Sequence, residues 1–373
     1  MTRLVLVALL AIHGLIHLVG FFRHWRSPTV GGQVALPGAA HPVSLVGVLW
    51  LGASILFVAS AVLARRQAWW NVAIPAVILS QVLIALRWSD AKWGTLVNIL
   101  IIALALLARA DHSLTVSVRH EAQDLLSRTF HTEDRVTEEM LQTLPPVVAK
   151  WLRATQVVGK PRITNVYLKQ TGRLRLKENG RWMRVEAVQL VGTHHPEFIW
   201  YARVHFLPFV WFRGRDIFRD GKGNMLIRLL SMMPIVDARS KEVDEASLVR
   251  FLGEMVWYPT AALESYVTWE QIDSSSARAT IAHGGKQVSG VFTFNERGEV
   301  VTFRARRYFA RDGEFSLENW VVSMGQYVEI EGIRLPLRAE VTWELETGAF
   351  TWYRLEVGDW RYNVTSIDAL RWL

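Results

Sequence analysis

The sequence predicts a membrane-embedded bundle of four helices joined to a soluble α+β domain, which is built on a large curved antiparallel sheet with a few covering helices. Two observations carry this prediction. Charged residues are rare before about residue 110 and frequent after it, and short β-type runs begin at Arg162. The predicted parts are a transmembrane domain over 1–110, a helical connector over 111–160 and a β-rich domain over 161–373.

Four apolar windows are long enough to cross a membrane, since a helix needs about 20 residues to span the hydrocarbon core. The windows are Leu4–Phe22, Val43–Ala64, Ala68–Trp88 and Trp93–Ala108. We do not expect the first window to be a cleavable signal peptide, because no small-residue cleavage site follows it. Tryptophans near the ends of the windows fit an aromatic belt at the membrane interface: Trp25, Trp69, Trp70, Trp88 and Trp93.

Basic residues near the spans give a weak indication of orientation. An even number of spans places both chain ends on one side, with five arginines near the membrane: Arg3, Arg65, Arg66, Arg109 and Arg119. The opposite side has four basic residues: Arg23, Arg26, Arg87 and Lys92. This difference favours a cytoplasmic C-terminal domain. The net charge of +8 indicates attraction to anionic lipid headgroups, and we do not expect nucleic acid as a partner.

Three histidines lie on one stripe of the first predicted helix. His13 and His17 are four residues apart, and His24 follows after three helical turns at nearly the same angle. Polar groups in a membrane helix normally face the bundle interior. The loops and helix ends at the same depth supply possible partners, so we predict a transmembrane polar cluster of His13, His17, His24, His41, Asp90, Lys92 and Asn98.

Three functions are open for this cluster. The histidines can hydrogen-bond across helices and fix the packing of the bundle, which we favour. They can also meet the headgroup of a lipid or quinone. A metal or haem site is the third interpretation, but a single HxxxH motif without further ligands is weak evidence for it.

The soluble part combines helices with antiparallel strands. Two helices, Ser117–Phe130 and Thr137–Ala154, are predicted before the sheet, the second kinked or broken at Pro145–Pro146. Alternating segments such as "VVTFRARRYF" indicate strands with one covered face, and "NERG" and "ETG" indicate hairpin turns. The segment "VDEASLVRFLGEMVWYPTAAL" predicts a helix near 244–258 that covers the concave face of the sheet, with Arg250 and Glu254 paired on its other face.

The sequence contains no recognisable catalytic motif. Without cysteine there is no thiolate nucleophile and no Cys-ligated metal site. A Walker loop, a dinucleotide fingerprint, GxSxG and HExxH are also missing from the sequence. His194 and His195 are expected in a loop, and the carboxylates before the predicted helix, such as Asp244, are expected to favour its N-terminus. We therefore predict no catalytic residue, metal or cofactor.

Aromatic and methionine side chains suggest an apolar pocket in the β-rich domain, because such side chains line adaptable binding sites. The predicted pocket residues are Trp200, Phe206, Phe209, Trp211, Met232, Met233, Met255 and Trp257. Two other interpretations are open. These side chains can belong to the ordinary core, or the segment "FLPFVWF" can dip into the bilayer.

Five segments in order resemble a family of bacterial membrane proteins with four N-terminal spans and a C-terminal domain of unknown function. These segments are "HGLIHLVGF", "SQVLIALRWSDAKWGTLVNI", "LPPVVAKWLR", "MPIVDA" and "FLGEMVWYPTAALE". The run "GQYVEIEGIRLPLRAEV" is similar to a late hairpin in the half-barrels of periplasmic lipoprotein carriers. That resemblance implies a cavity for an acyl chain or lipid. It also implies a location outside the cytoplasm, against the charge count.

The sequence thus predicts a multi-pass protein of the bacterial inner membrane whose β-rich domain binds an apolar or amphiphilic ligand, with membrane lipids as partners. One alternative is a membrane enzyme that acts at the histidine and aspartate cluster. Another is a scaffold or assembly protein without a small ligand.

Overall fold

The structure is a computed structural model that describes residues 3–25, 33–34, 43–64, 66, 68–130, 132–311 and 313–370. The chain divides into two compact units, Met1–Leu114 and Thr115–Leu373. Each unit has its own hydrophobic core, which in the first unit includes Leu10 and Phe57 and in the second Trp151 and Phe251.

The first unit is helical, as expected for apolar runs with few helix-breaking residues. Its helices are α1 (Arg3–His24), α2 (Leu45–Leu63), α3 (Trp70–Leu86), α4 (Trp88–Ala91) and α5, which begins at Gly94 and ends at Ser127 in the second unit. Two short strands, β1 (Gln33–Val34) and β2 (Val43–Ser44), pair antiparallel before α2. The Ser44 hydroxyl accepts the Gly47 N–H and caps α2.

Among the described residues, three helices are long and apolar enough to cross a membrane. These helices, α1, α2 and α5, have mean hydropathies of 2.4, 2.3 and 1.7. The third predicted window, Ala68–Trp88, contains only the 17-residue helix α3. Helix α3 ends before Arg87, where φ of −131° and ψ of 41° leave the helical region. The predicted count of four spans is therefore not established.

Helix α5 joins two predicted elements into one. The last predicted span and the connector helix Ser117–Phe130 form a single helix of 34 residues, about 50 Å long, because no glycine or proline interrupts residues 95–127. The second connector helix is broken as predicted. It forms α6 (Glu138–Leu141) and α7 (Pro146–Ala154), and Pro146 occupies the first turn of α7.

The described residues of the second unit form a 13-stranded antiparallel sheet, which curves into a half-barrel. Its strands are β3 (Asn165–Leu174), β4 (Met183–Gly192), β5 (Glu197–Leu207), β6 (Val210–Arg219), β7 (Lys222–Leu229), β8 (Met233–Ala238), β9 (Val267–Gln271), β10 (Ser276–His283), β11 (Lys286–Phe294), β12 (Val300–Arg311), β13 (Glu314–Ile330), β14 (Ile333–Leu345) and β15 (Gly348–Tyr362). Their spatial order is β8-β7-β6-β5-β4-β3-β15-β14-β13-β12-β11-β10-β9. The large curved sheet predicted from sequence alternation is confirmed.

Helix α8 (Lys241–Glu254) lies against the concave face, where it contacts strands from both halves of the sheet, including β7, β11 and β12. Its buried side chains include Leu248, Phe251 and Leu252. The Ser240 hydroxyl accepts the Val243 N–H, so Ser240 caps the helix. The expected carboxylate near the helix start, Asp244, instead accepts the Gly223 N–H of β7 at 2.7 Å.

The curvature of the sheet brings two hairpin turns into backbone contact. Gly221, between β6 and β7, faces Gly284, between β10 and β11. A Cβ atom added at Gly221 would lie 2.8 Å from the Gly284 Cα, and both residues have positive φ, 73° and 58°. Only glycine fits both requirements at low cost. Lys286 supports the contact, because its Nζ donates to the Gly221 carbonyl oxygen at 2.9 Å.

Candidate functional site

A network of polar side chains links three helices inside the first unit. His13 Nε2 on α1 lies 2.9 Å from Asn98 Oδ1 on α5, and His17 Nε2 lies 2.8 Å from Ser80 Oγ on α3. Asn98 Nδ2 lies 3.0 Å from Ser80 Oγ and 3.1 Å from Gln81 Oε1. The network therefore gives these polar groups partners in an otherwise apolar interior.

The hydrogen bonds of this network have a consistent direction. His17 Nδ1 lies 2.8 Å from the His13 carbonyl oxygen and donates to it, and in the neutral ring His17 Nε2 then accepts the Ser80 hydroxyl proton. Ser80 Oγ then accepts from Asn98 Nδ2, and Asn98 Oδ1 accepts from His13 Nε2. Both ring nitrogens of His17 are therefore bonded to protein.

His24 belongs to a second polar group, at the C-terminal end of α1. Its Nδ1 donates to the Gly20 carbonyl oxygen at 2.7 Å, so its Nε2 accepts from Arg87 Nη2 at 2.9 Å. Asp90 lies near Arg23 in the same region, with 3.6 Å between Oδ2 and Nη1.

The predicted transmembrane cluster is therefore only partly brought together. His13, His17 and Asn98 share the interior network, whereas His24 and Asp90 contact arginines at the helix ends. Lys92 is exposed, and its Nζ lies 5.9 Å from the centre of the Trp93 ring. His41 lies outside the described residues.

A cleft of about 700 Å³ lies beside both polar groups. Its volume is within the usual range for ligand pockets. Its lining includes both charged and apolar side chains. The residues that line it are His13, Ile16, His17, Val19, Gly20, Arg23, His24, Trp50, Ile84, Arg87, Asp90, Ala91, Trp93, Gly94 and Val97.

The donor atoms of the first unit do not favour a metal site. His17 has no free ring nitrogen, and His13 and His24 each use at least one for protein hydrogen bonds. In the part of the chain that the structure describes, no three His, Asp or Glu side chains lie together so as to hold a metal ion. The geometry agrees best with the packing interpretation for His13 and His17.

A buried ionic network occupies the concave face of the sheet in the second unit. Arg250 Nη1 of α8 donates to Asp216 Oδ2 of β6 at 2.8 Å, and Arg250 Nε donates to Glu254 Oε1 at 2.8 Å. The guanidinium also lies over the rings of Phe198 and Trp200, at 4.9 and 5.2 Å from their centroids. The Arg250–Glu254 pair therefore faces the sheet, not the other side of the helix as predicted.

Amides and an indole extend this network across neighbouring strands. Gln189 Nε2 donates to Glu254 Oε2 at 2.6 Å, Gln170 Nε2 donates to Gln189 Oε1 at 3.1 Å, and Trp200 Nε1 donates to Gln170 Oε1 at 3.0 Å. Burial disfavours the charged guanidinium of Arg250, but Glu254 and Asp216 outweigh it and raise its pKa above the ordinary value. Arg250 is therefore charged at neutral pH.

A second arginine, Arg307, lies on the same face. Its guanidinium lies 4.9 Å from the Trp320 ring centre and 5.6 Å from that of Trp343, and Nε donates to the Ala246 carbonyl oxygen at 3.0 Å. Burial, and after it the charge of Arg250, lower the pKa of Arg307 to about 10. Arg307 is still protonated at neutral pH.

The eight predicted pocket residues lie in different environments. Met255 and Trp257 are buried in the core, and Trp257 Nε1 donates to the Pro336 carbonyl oxygen at 3.0 Å. Trp200 belongs to the ionic network on the concave face. The remaining five lie at or beside two neighbouring hairpin ends: Phe206, Phe209, Trp211, Met232 and Met233.

These two hairpin ends form an exposed apolar edge of the sheet, which we define as residues 206–209 and 232–235. The first segment joins β5 to β6 and the second follows β7, and the pairing of β6 with β7 places them side by side. Its most exposed apolar side chains are Phe209 at 70% and Met233 at 61%. Phe206, Leu207, Met232 and Ile235 are also exposed.

A buried carboxylate and several histidines lie where β4 joins β5. The His195 ring lies 4.5 Å from that of His194 and 6.2 Å from that of His283. Burial raises the pKa of the Glu197 carboxyl despite the nearby Arg128 and lowers the pKa of His195 and His283. The two histidines are therefore uncharged at neutral pH.

Sequence reasoning missed Ser80, Arg87 and Asp216 as members of these polar groups. A single serine in an apolar helix gives no signal in one sequence, and Arg87 was assigned only to the membrane interface. Asp216 could have been noticed, because strand alternation places it on the same face of β6 as Phe212 and Phe218.

The fold and site define a protein with a helical, apolar first unit and an antiparallel half-barrel second unit. Residues 134–355 match the family of unknown function DUF6544, and the chain belongs to this family. The resemblance to a family with a C-terminal domain of unknown function is thereby confirmed. No curated protein matches the chain in sequence.

Solved structures show loose similarity to lipoprotein-carrier half-barrels, as the sequence resemblance indicated. A DUF1329 family protein from Desulfovibrio piger is 11% identical, with a TM-score of 0.35, over 60% of this chain and 98% of that protein. A domain from Vibrio parahaemolyticus described as an outer membrane lipoprotein-sorting protein is 9% identical, with a TM-score of 0.32, over 62% and 93%. A LolA superfamily protein from Nitrosomonas europaea is 7% identical, with a TM-score of 0.32, over 60% and 96%.

Proposed function

We propose that this protein is a multi-pass protein of the bacterial inner membrane whose sheet domain binds lipid or another amphiphile at the membrane surface. The observation that carries this proposal is the apolar edge at 206–209 and 232–235, where large apolar side chains face solvent. Contiguous apolar patches of this kind usually mark contacts with a membrane, ligand or protein.

The surface of the helical unit supports an embedded anchor. Large apolar side chains point outward along the described helices, including Ile12 at 58%, Val62 at 74% and Ile99 at 57% exposure. Such surfaces are unfavourable in water and favourable in hydrocarbon. The polar groups of the same helices instead point inward and bond to each other.

The backbone holds an aromatic side chain outward at the apolar edge. Phe209 has a φ of 67°, in the left-handed region that glycine or asparagine normally occupies. A bulky side chain in that region costs roughly 1–3 kcal/mol and is more common at functional sites. Glycine would adopt this backbone conformation at lower cost, so a phenylalanine at this position supports a contact function.

Thr115, at the start of the sheet domain, contacts the strand that leads to the apolar edge. Thr115, the first residue of this unit, bonds to Tyr201 in the middle of β5 through its hydroxyl at 3.0 Å. From Tyr201, β5 runs six residues to Leu207, a distance of about 20 Å. The edge thus lies within about 20 Å of Thr115 in the same unit.

An apolar strip on the concave face is continuous with this edge. Val204, Phe212, Leu229 and Met233 are direct partners across β5, β6, β7 and β8, and they share one face of the sheet. The Phe206 ring lies 5.6 Å from that of Phe212. This strip offers a surface for an acyl chain that leaves the membrane surface.

Fluorescence quenching by lipid tests the proposed contact. Because the chain has no cysteine, Phe209→Cys can be labelled at one site with an environment-sensitive dye in the full-length protein in nanodiscs. Lipids brominated near the headgroup should quench this dye at least about twofold more than a dye at Glu296→Cys. Glu296 is exposed in the turn between β11 and β12, in the other half of the sheet.

Equal quenching of the two dyes would contradict the proposal. An unquenched dye at position 209 in anionic and in zwitterionic nanodiscs would also contradict it. Labelled variants must retain the circular dichroism of the unmodified protein before the two positions are compared.

A further inference from the structure

The cleft of the helical unit is lined by both charged and apolar side chains. The charged ones are Arg23, Arg87 and Asp90, and the apolar ones include Ile16, Val19 and Val97. A purely structural gap between membrane helices would be expected to have apolar walls that lipid chains fill. A cleft lined by both charged and apolar side chains fits a ligand that has a polar head and an apolar chain.

The charged side chains that line the cleft have an excess of positive charge. Arg23 and Arg87 contribute two positive charges and Asp90 one negative charge. His24 is a hydrogen-bond acceptor for Arg87 and is therefore uncharged. The groups that line the cleft thus sum to one positive charge, which favours an anionic ligand.

Arg87 is the better placed of the two arginines. Its Nη2 donates to His24 Nε2, which orients the guanidinium without neutralising its charge. Among the residues that the structure describes, no carboxylate forms an ion pair with Arg87. Arg23 contacts Asp90 at 3.6 Å, but both side chains are more than half exposed, so this pair is weak.

We propose that this cleft binds an anionic amphiphile, with its phosphate or carboxylate headgroup at Arg87 and Arg23. Its apolar chain lies along Ile16, Val19 and Val97. Arginine suits this role because its planar donors match phosphate and carboxylate oxygens. The site rests on the embedded helical unit of the proposed function, but not on lipid contact at the apolar edge of the sheet domain.

Native mass spectrometry of the full-length protein tests this site. Protein in neutral detergent is titrated with dioleoyl phosphatidylglycerol, with oleate or with dioleoyl phosphatidylcholine, and bound copies are counted. We expect one phosphatidylglycerol or one oleate to bind at least about tenfold more tightly than phosphatidylcholine. Preference between the first two distinguishes a phospholipid from a free fatty acid.

Charge variants separate the cleft from general attraction to anionic lipid. Arg23→Gln and Arg87→Gln should each weaken binding of the preferred anionic lipid by about tenfold. Asp90→Asn should strengthen it several-fold, because it raises the charge of the cleft to two. The matched control is Arg66→Gln, which removes one exposed positive charge between α2 and α3, away from the cleft residues.

Equal binding of anionic and zwitterionic lipid by the wild type would overturn the proposal. An equal loss in Arg66→Gln and Arg23→Gln would overturn it as well. Arg87→Gln removes the hydrogen bond to the buried His24 and can therefore disturb folding. Arg23 is exposed and does not take part in that bond, so Arg23→Gln tests the charge of the cleft without this effect. Dye quenching at position 209 is independent of these results, so the two proposals can fail separately.

Discussion

Replacing Arg250 with methionine is expected to destabilise the sheet domain by about 3–5 kcal/mol. The side chain fills a similar volume but removes the cation between Asp216 and Glu254, both largely buried. Buried carboxylates left without their cation must lose their charge or stay uncompensated, and either outcome costs free energy. The hydrogen bond from Arg250 Nη2 to Gln189 Oε1 is lost as well.

Urea unfolding of the full-length protein in mild detergent measures this effect, with the β-sheet circular dichroism signal as the readout. The control is Arg338→Met, which removes the exposed ion pair between Arg338 and Glu356. It should cost no more than about 1 kcal/mol. Similar losses of unfolding free energy in both variants would show that Arg250 does not stabilise the buried ionic network on the concave face.

Replacing Asn98 with leucine should be the most damaging single change in the polar network of the helical unit. Asn98 holds three bonds in that network, to His13, Ser80 and Gln81. Interhelical hydrogen bonds in membranes contribute about 0.6 kcal/mol each on average, so we expect a loss of about 2 kcal/mol. Unfolding by sodium dodecyl sulfate in mixed micelles provides the measurement.

Ser60→Ala is the matched control for this prediction. Ser60 is also buried in an apolar helix, but its hydroxyl donates only to the Leu56 carbonyl oxygen of the same helix, at 2.8 Å. Loss of this hydroxyl should have only a small effect on the detergent fraction at which the protein unfolds. If Asn98→Leu unfolds at the same detergent fraction as wild type, the network does not stabilise the packing of α1, α3 and α5.

The sequence was sufficient to predict a helical first part and a large curved antiparallel sheet, because the signals that specify them are local. Apolar runs, strand alternation and the Pro145–Pro146 break each depend on neighbouring residues. The predicted ends of helices were less accurate where two predicted elements follow each other directly. The junction of the last predicted span with the predicted connector helix contains no glycine or proline, so α5 continues to Ser127 where a separation was expected.

The candidate sites were harder to predict because they depend on distant residues. The Arg250–Glu254 pair has the spacing of a solvent-exposed helical pair, and nothing in the helix itself indicates Asp216 as a partner 34 positions away. The five pocket residues at the hairpin ends and the two in the core have similar hydrophobicity. Only strand register distinguishes the exposed edge from the interior.

Both proposals require that the helical unit is embedded in a bilayer. An alkaline carbonate wash of membranes that contain the full-length protein tests this requirement most directly. The account predicts that the protein stays in the membrane pellet, because α1, α2 and α5 expose apolar surface along their length. Release of the intact protein into the supernatant, while a known integral protein stays in the pellet, would contradict it.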